Sequence, residues 1–329
     1  MEIEKEKRRL LDFFSEIRVM ISRYPAFGAL IAFMAIFVTF SIIAPKFLTL
    51  RSLTGIFTLV SELGIIAIGE AFLMISGEFD LSVGGVYALG GALFVVLANS
   101  LPSFLAFIIT LGVAAFIGYV NGVITLRGGI PSFITTLGTM MITRGILLIA
   151  TGGFSLAYKG DTFVPMILSK LVGYGFRPSH IWFIALALLF SFILTRARYG
   201  NWVFAAGGNK EIARMMGVNT DSVKLRNFMI SAVMAALAGC MAISRFKFAN
   251  VAFGQGYELE AIAAVVIGGT SLFGGYGTIL GAALGAVMVG MIRIGLVLAG
   301  APGYLYQAFV GVVLITAAII NIKIRRSST

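Results

Sequence analysis

The sequence is poor in the residues that most often carry out catalysis, bind metals or cross-link a chain. It has one cysteine and one histidine among 329 residues. The single cysteine, Cys240, excludes an internal disulfide, and its place in an apolar run favours a packing role. His180 opens another apolar run beside Trp182, which favours an anchor at a membrane interface. We therefore predict no metal site, no cofactor and no catalytic residue.

Charged residues are also scarce, at 12%, whereas hydrophobic residues make up 59% and the mean hydropathy is +1.00. Soluble domains have about 45 to 50% apolar residues, so this composition indicates an integral membrane protein. Lipid-exposed backbone must satisfy its own hydrogen bonds, and the apolar runs are too long for barrel strands. The predicted fold class is therefore an all-α polytopic membrane protein.

Apolar runs of about 17 to 25 residues, the length that crosses about 30 Å of hydrocarbon, mark the candidate spans. Ten are predicted, the eighth of them short: 25–43, 53–76, 81–99, 103–125, 131–151, 179–195, 227–244, 260–273, 276–299 and 302–320. They form one transmembrane domain over residues 25–321. An amino-terminal segment, 1–24, precedes this domain, and a tail, 322–329, follows it.

The distribution of positive charge predicts the orientation of the chain. If both termini are cytoplasmic, sixteen of the 25 Lys and Arg residues lie in inner segments and seven in outer loops. This bias follows the positive-inside rule. It also accounts for the net charge of +11, which in a soluble protein would suggest a nucleic-acid partner; none is predicted here.

The amino-terminal segment carries apolar residues at three- and four-residue steps, which predicts a helix lying on the membrane surface. The first apolar run is followed by Pro45 and Lys46 rather than by a small-residue cleavage site. The segment is therefore predicted to stay attached.

The longest inner segment, 199–226, has the pattern of a short helix. Asn209 is a candidate N-cap, Glu211 lies in the first turn, and Gly217 would end the helix after about two turns. A helix this short is marginal alone and needs a partner surface. That surface is either the protein's own cytoplasmic face or another protein.

One face of this short helix is apolar. Ile212, Met215 and Met216 recur at helical spacing and form a ridge. Charged residues line its flanks: Lys210, Glu211 and Arg214.

Two carboxylates lie in the stretch "GEFDLSVGG", residues 77–85, between the second and third spans. Asp80 is predicted to be the N-cap of the third span, accepting the free N–H groups of its first turn. Alternatively, spans two and three meet below the membrane surface in a broken-helix pair that lines a transport path.

Four segments together resemble the ribose-type sugar permeases of ABC importers. "AAGGNKEIARMMGV", 205–218, resembles their cytoplasmic coupling loop, and "GEFDLSVGGVYAL" resembles their "GxDLSVGxxxAL" segment. "ITTLGTMMITRG", 134–145, and "GQGYELEAIAAVVIGGTSLFGGYGTILG", 254–281, also fit. The chain departs from the family where Glu78-Phe79 replaces a single residue and where Glu260 replaces an aspartate.

The resemblance implies a permease subunit that acts as a dimer by alternating access in a bacterial-type cytoplasmic membrane. Its implied partners are a cytoplasmic ABC ATPase, an extracytoplasmic sugar-binding protein, a second permease copy and a pentose or hexose. The chain lacks a GxxxxGK[ST] phosphate loop, which agrees with ATP hydrolysis by a partner and with a subunit that is not an enzyme.

The resemblance also implies roles for individual residues. Those expected to contact or orient the ATPase are Asn209, Lys210, Glu211, Ile212, Ala213, Arg214, Met215 and Gly217. Those expected in the translocation path or its gate are Asp80, Ser82, Thr135, Thr136 and Glu258.

Two alternatives to a sugar importer remain open from the residues. Acids in or beside the second span could act as relays of a proton- or sodium-coupled carrier: Glu62, Glu70, Glu78 and Asp80. An ABC permease for nucleosides or branched-chain amino acids belongs to the same broader family. A membrane enzyme is disfavoured, because no nucleophile lies in a pattern with a base.

The sequence also predicts two contacts between helices inside the bundle. Counting 1.5 Å per residue along spans two and five places Arg144 and Glu62 at similar depths, which predicts an ion pair; snorkelling of Arg144 to the headgroups is the rival. Gly277, Gly281 and Gly285 form overlapping GxxxG steps, which favour close packing against another helix.

Overall fold

The structure, a computed structural model, describes residues 25–328 and is built almost entirely from helices; the predicted surface helix over 1–24 lies outside this range. In chain order the elements are α1 (Pro25–Ile43), α2 (Leu50–Ile75), α3 (Val83–Ala98), α4 (Ser103–Gly128), α5 (Ser132–Thr151), β1 (Leu156–Ala157), α6 (Phe163–Ser169), α7 (Pro178–Arg196), α8 (Arg198–Gly208), α9 (Lys210–Met215), α10 (Thr220–Phe246), β2 (Phe248–Ala249), α11 (Tyr257–Ile267), α12 (Ile279–Leu298) and α13 (Leu305–Ser328).

Each predicted span coincides with a helix, but the helices differ in their capacity to cross a membrane. Within the described residues, six are long and apolar enough for this: α2, α4, α5, α7, α10 and α12. The eighth predicted span corresponds to α11, whose 11 residues extend only about 16 Å. The chain is thus a multi-pass membrane protein, and ten crossings remain a prediction.

Helices α2 and α10 form the centre of the bundle. The apolar windows of these two helices are 83% and 78% buried inside the protein, against 22% to 28% for α4, α5 and α7. Helix α10 packs against α2, α3 and α4. The large exposed aliphatic and aromatic side chains of α4, α5 and α7 therefore face outward, as expected where lipid surrounds a bundle.

Helix α12 lies close to α11 through two of the three glycines in its predicted packing motif. A Cβ atom on Gly285 would lie 1.9 Å from the Ala264 carbonyl oxygen, and one on Gly281 would lie 2.2 Å from that of Gly268. The motif therefore packs within the subunit at these positions. Gly277 precedes the helix and contacts Thr270 instead.

The loops on the predicted outer side contain a small sheet that the all-α prediction did not include. Strands β1 and β2 are two residues each and pair antiparallel, with Leu156 opposite Ala249. This pairing ties the loop after α5 to the loop after α10.

Candidate functional site

Helix α9 in the inner loop begins where the sequence predicted. The Asn209 side chain accepts hydrogen bonds from the backbone N–H groups of Glu211 and Ile212, each at 3.0 Å. These are the free donors that an N-cap satisfies. Gly217 has φ +83°, a left-handed conformation that favours glycine, and the helix ends just before it. The helix has six residues, slightly less than the expected two turns.

The apolar ridge of α9 is not covered by the rest of the described chain. Ile212, Met215 and Met216 are 58%, 83% and 79% exposed. The rest of the described chain therefore does not bury this ridge. Ala213, predicted to contact the ATPase, is 4% exposed. That prediction needs correction, because Ala213 lies on the opposite face of the helix and is already packed within the subunit.

Charged residues on α9 attach it to the first turn of α10. Lys210 Nζ lies 3.1 Å from Asp221 Oδ1, and the Arg214 guanidinium pairs with the other Asp221 oxygen. Arg214 Nε also donates to Thr220 Oγ1 at 3.1 Å. The flanking charges therefore fix α9 relative to α10. Glu211 is exposed beside them.

The turn after α2 brings the chain back along that helix before α3 begins. Gly77, with φ +85°, lies near Gly207 of α8. Three residues later, Asp80 N–H donates to Glu70 Oε1 at 3.1 Å. Glu70 lies five residues, about 8 Å, before the end of α2. Helix α3 thus starts beside the last turns of α2, at a turn packed within the bundle, and the depth of this turn in the membrane stays a prediction.

Asp80 is not the N-cap of α3, which corrects the preferred prediction for this residue. The helix begins at Val83, and Ser82 occupies the N-cap position without a side-chain cap bond. Asp80 Oδ1 accepts from Ser82 N–H at 2.9 Å and from Ser82 Oγ at 2.5 Å. The carboxylate closes an Asx turn two residues before the helix, so its geometry suits a turn rather than a cap.

Side chains of α4 and α5 hold the remaining backbone of this turn. Leu81 N–H donates to Thr136 Oγ1 at 3.0 Å, and Phe79 N–H donates to Ser132 Oγ at 3.2 Å. Asn121 Nδ2 donates to Ser82 Oγ at 3.0 Å. Irregular backbone inside a membrane protein needs such partners, because lipid offers none.

Glu78, the acid that departs from the family pattern, is paired with a cation. Its Oε1 lies 2.7 Å from Lys224 Nζ of α10, and both side chains are mostly buried. The additional acid is thus balanced by a lysine that the sequence analysis did not connect to it.

The predicted ion pair between Glu62 and Arg144 is wrong. Glu62 Oε1 instead lies 2.8 Å from an Arg245 nitrogen at the end of α10, and Tyr87 OH donates to Glu62 Oε2 at 2.8 Å. Arg144 Nη1 donates to the Val251 carbonyl at 3.2 Å. Depth along two helices does not show which way a side chain points around each helix axis. Arg245, at the end of the central helix α10, faces Glu62.

Three of the residues expected in the translocation path differ in whether their polar atoms have hydrogen-bond partners. Thr136 Oγ1 accepts a hydrogen bond from the backbone N–H of Leu81 in the turn, as described above. Thr135 is buried, and its Oγ1 makes no hydrogen bond. Glu258, at the start of α11, is half-buried, interacts electrostatically with Arg144 and has an unpartnered Oε2.

On the predicted outer side, Asp161 links two helices. It accepts hydrogen bonds from the Ser103 hydroxyl and, at 2.6 Å, from Ser103 N–H, and a third from Phe163 N–H at 2.9 Å. These donors lower the pKa of Asp161 below its ordinary value of 3.8, with the Ser103 hydroxyl the largest cause. The charged carboxylate therefore joins the start of α4 to the start of α6.

A cleft of about 390 Å³ opens beside this link. Four basic residues contribute to its wall: Lys170, Arg177, Arg245 and Lys247. Only Arg245 among them is paired with an acid in the described chain, namely Glu62. The cleft is therefore electropositive.

The polar side chains of α10 that contact buried groups were not predicted from the sequence: Lys224 pairs with Glu78, Ser231 interacts with Glu70 and Asp80, and Asn227 donates to the Phe72 carbonyl. Lys224, Asn227 and Ser231 recur on one face of α10, an otherwise apolar helix. Such a polar stripe facing a helix interface was the available signal for these partners.

These features define a multi-pass membrane protein with a short exposed helix, α9, between α8 and α10 and a buried irregular turn between α2 and α3. No solved structure matches the chain. The model of a family described as branched-chain amino acid transport system / permease component matches residues 52–318. The chain belongs to that family, and it is a transport component rather than an enzyme.

Curated relatives extend over nearly the same length. The ribose import permease protein RbsC of Escherichia coli K12 is 33% identical over 298 residues, covering 89% of this chain and 92% of the relative. That of Haemophilus influenzae is 34% identical over 298 residues, covering 90% and 91%. The autoinducer 2 import system permease protein LsrC of Salmonella typhi is 35% identical over 303 residues, covering 90% and 85%.

Proposed function

We propose that this chain is the membrane-spanning subunit of an ATP-driven importer for a simple sugar, a pentose or hexose, in a bacterial-type cytoplasmic membrane. Its relatives include permeases named for ribose import and for autoinducer 2 import. The observation that carries the proposal is the exposed apolar ridge of α9, on a helix that is capped and anchored but whose outer face has no partner in the described chain.

The ridge is the proposed docking surface for a cytoplasmic ABC ATPase. Exposed apolar side chains grouped on one short helix are typical of an interaction surface. Ile212 and Met215 would enter an apolar pocket of the ATPase, while Glu211 stays at the rim. Ala213 takes no direct part, because it is packed inward.

Movement of the ATPase would pass from α9 into the bundle through Asp221. Lys210 and Arg214 both hold this carboxylate at the start of α10. Helix α10 in turn packs on α2, α3 and α4 at the centre of the subunit. A push or pull on α9 would therefore move a central helix, as alternating access requires.

We assign the candidate path residues to two roles. Asp80, Ser82 and Thr136 hold the turn before α3 and keep irregular backbone in place. Thr135 and Glu258, each with an unpartnered oxygen, are proposed to face the sugar during transport, since a sugar hydroxyl would satisfy them.

The electropositive cleft on the predicted outer side is a proposed contact for the extracytoplasmic binding protein. Lys170 and Lys247 of its wall have no acidic partner in the described chain, so acidic side chains of that protein would complement them. A second copy of the permease would complete the assembly.

Co-purification tests the docking proposal. Ile212→Asp places a charge on the apolar ridge and should abolish recovery of the ATPase with the tagged permease, while membrane insertion stays normal. The control Ser222→Asp adds the same charge to the first turn of α10, where an acid is favourable, and should retain the ATPase. Full ATPase recovery with Ile212→Asp would refute the docking surface.

The ion-coupled carrier remains the second candidate, motivated by the buried acids of α2 and its turn. Two of those acids are already paired, Glu62 with Arg245 and Glu78 with Lys224. An importer of nucleosides or branched-chain amino acids is the third, because the family's description includes the latter. Labelled sugars, nucleosides and amino acids are each offered to the complete transporter, and the one that is taken up identifies the substrate class.

A further inference from the structure

Two buried carboxylates near the centre of the bundle lack the counter-charge that the other intramembrane acids have. Glu62 pairs with Arg245, Glu78 with Lys224, and Glu260 with Arg293 at 3.5 Å. Glu70 and Asp80 are both 0% exposed, and no cationic side chain of the described chain acts on either.

The two acids face each other and a hydroxyl of a third element. Asp80 N–H donates to Glu70 Oε1, which holds the turn against α2. Ser231 of α10 lies close enough to interact with both carboxyls. The close packing of α2 and α10 places it there, since a Cβ on Gly69 would lie 2.9 Å from the Ser231 Cα.

Glu70 Oε2 and Asp80 Oδ2 have no hydrogen-bond partner of ordinary geometry, and the Ser231 hydroxyl, which acts on both carboxyls, has only one proton to donate. All three residues are completely buried. A buried polar atom without a partner destabilises the fold, and a charged one does so more strongly. Two buried carboxylates that share one hydroxyl and have no cationic side chain beside them indicate a missing positive group.

Lys224 is a buried cation on the same helix as Ser231, but it is engaged elsewhere. Its ammonium lies 2.7 Å from Glu78. It also precedes Ser231 by seven residues, about 10 Å along the helix. Within residues 25–328, no side chain therefore supplies a positive charge to the pair Glu70 and Asp80.

We propose that Glu70, Asp80 and Ser231 form a buried site for one small monovalent cation, either Na⁺ or a proton. Carboxylate and hydroxyl oxygens are the hard ligands that such a cation prefers, and broken helices in membrane proteins are a common place for it. The bound charge would neutralise one of the two acids and fix the turn before α3 to both central helices. The site goes beyond the proposed transport function and requires no coupling to sugar movement.

Thermal unfolding of the purified full-length protein tests the Na⁺ form. The midpoint is compared in NaCl and in choline chloride at equal ionic strength and pH. We expect Na⁺ to raise the midpoint saturably, by about a few degrees, because it binds only the folded state. Glu70→Gln should abolish the shift. Ser231→Ala, which removes one ligand and no charge, should require several-fold more Na⁺ to produce it.

The matched control lies on the same helix. Ser244 is also a buried serine of α10, but its hydroxyl donates to the Cys240 carbonyl at 2.8 Å. Ser244→Ala should therefore respond to Na⁺ as the wild type does. If Glu70→Gln does not fold, the comparison of Ser231→Ala with Ser244→Ala still decides.

Infrared spectroscopy distinguishes the proton form. If the two salts give the same midpoint, the wild type should show the carbonyl-stretch band of a protonated carboxyl that Glu70→Gln or Asp80→Asn removes. Wild-type protein with neither a Na⁺-dependent shift nor such a band would overturn the proposal. A Na⁺ shift that persists unchanged in both Glu70→Gln and Ser231→Ala would also overturn it.

Discussion

At the scale of single residues, the buried charges determine which substitutions this protein tolerates. Glu62 is 2% exposed at the side chain and Arg245 is 14% exposed, so losing either partner leaves a charge that is largely removed from water. Removing one member of a buried pair typically costs about 3 to 5 kcal/mol, because the other charge stays buried.

Glu62→Gln should therefore lower the free energy of unfolding by about 3 kcal/mol or more and reduce expression. The double change Glu62→Arg with Arg245→Glu should recover part of this loss, as judged by yield and thermal unfolding in detergent. The swap of Glu62 with Arg144 serves as the control and should recover nothing. Recovery in that control instead would restore the pair predicted from helix depth.

The outer link through Asp161 should make stability depend on acidic pH. Because the pKa of Asp161 is lowered in the folded state, its stabilisation is fully present above the ordinary value of 3.8 and is lost as the pH falls through the folded pKa. Asp161 is exposed, so its hydrogen bonds contribute only about 1 kcal/mol.

Asp161→Asn should therefore unfold at a lower temperature than the wild type at pH 7, and the difference should shrink as the pH falls below 3.8. Thermal unfolding of both proteins over a pH series measures this. A difference that is constant across the series would show that the carboxylate charge contributes nothing.

Residues whose roles could be predicted from sequence make contacts with close neighbours in the chain. Residues whose roles could not be predicted make contacts far away in the chain. Asn209 was identified because a cap acts on N–H groups two and three residues away. The partners of Glu62 and Glu78 are far away in sequence, at Arg245 and Lys224, and a rule of local spacing cannot find them. Asp80 was assigned to the correct local role of satisfying backbone, but to the wrong motif.

At the scale of elements, close packing of α11 on α12 makes glycine necessary at one position. Gly285→Ala would place a methyl group against the Ala264 carbonyl oxygen, 1.9 Å from an ideal Cβ, so one of the helices must shift. Such overpacking costs about 1 to 3 kcal/mol.

Thermal unfolding should show a clear loss of stability for Gly285→Ala. The control Gly112→Ala changes a helical glycine of α4 whose Cβ would meet nothing within 4 Å, and it should be neutral or slightly stabilising. Equal effects of the two substitutions would contradict the packing of α12 on α11.

The positions of the helices could be predicted from sequence because long apolar runs have few alternatives in a membrane. Their ends and depths were less predictable. Helix α3 begins two residues after the predicted start, at Val83, because Asp80 and Thr136 hold the chain in a turn there. Helix α11 ends early because Gly268 and Gly269 break the apolar run.

At the scale of the whole molecule, the structure has a buried centre and a short exposed helix, α9. Helices α2 and α10 are buried among their neighbours, and α9 is attached to α10 through Asp221. This arrangement suits a subunit that is moved by a partner, because force on α9 reaches the centre without passing through a flexible loop.

The most direct test of the proposed function is transport in liposomes. The permease is reconstituted alone, and also with its ATPase and sugar-binding protein, and uptake of labelled pentose and hexose is measured with ATP, without ATP, and under proton or sodium gradients. The account predicts uptake only when the ATPase, the binding protein and ATP are all present. Sugar uptake by the permease alone under an ion gradient would contradict it.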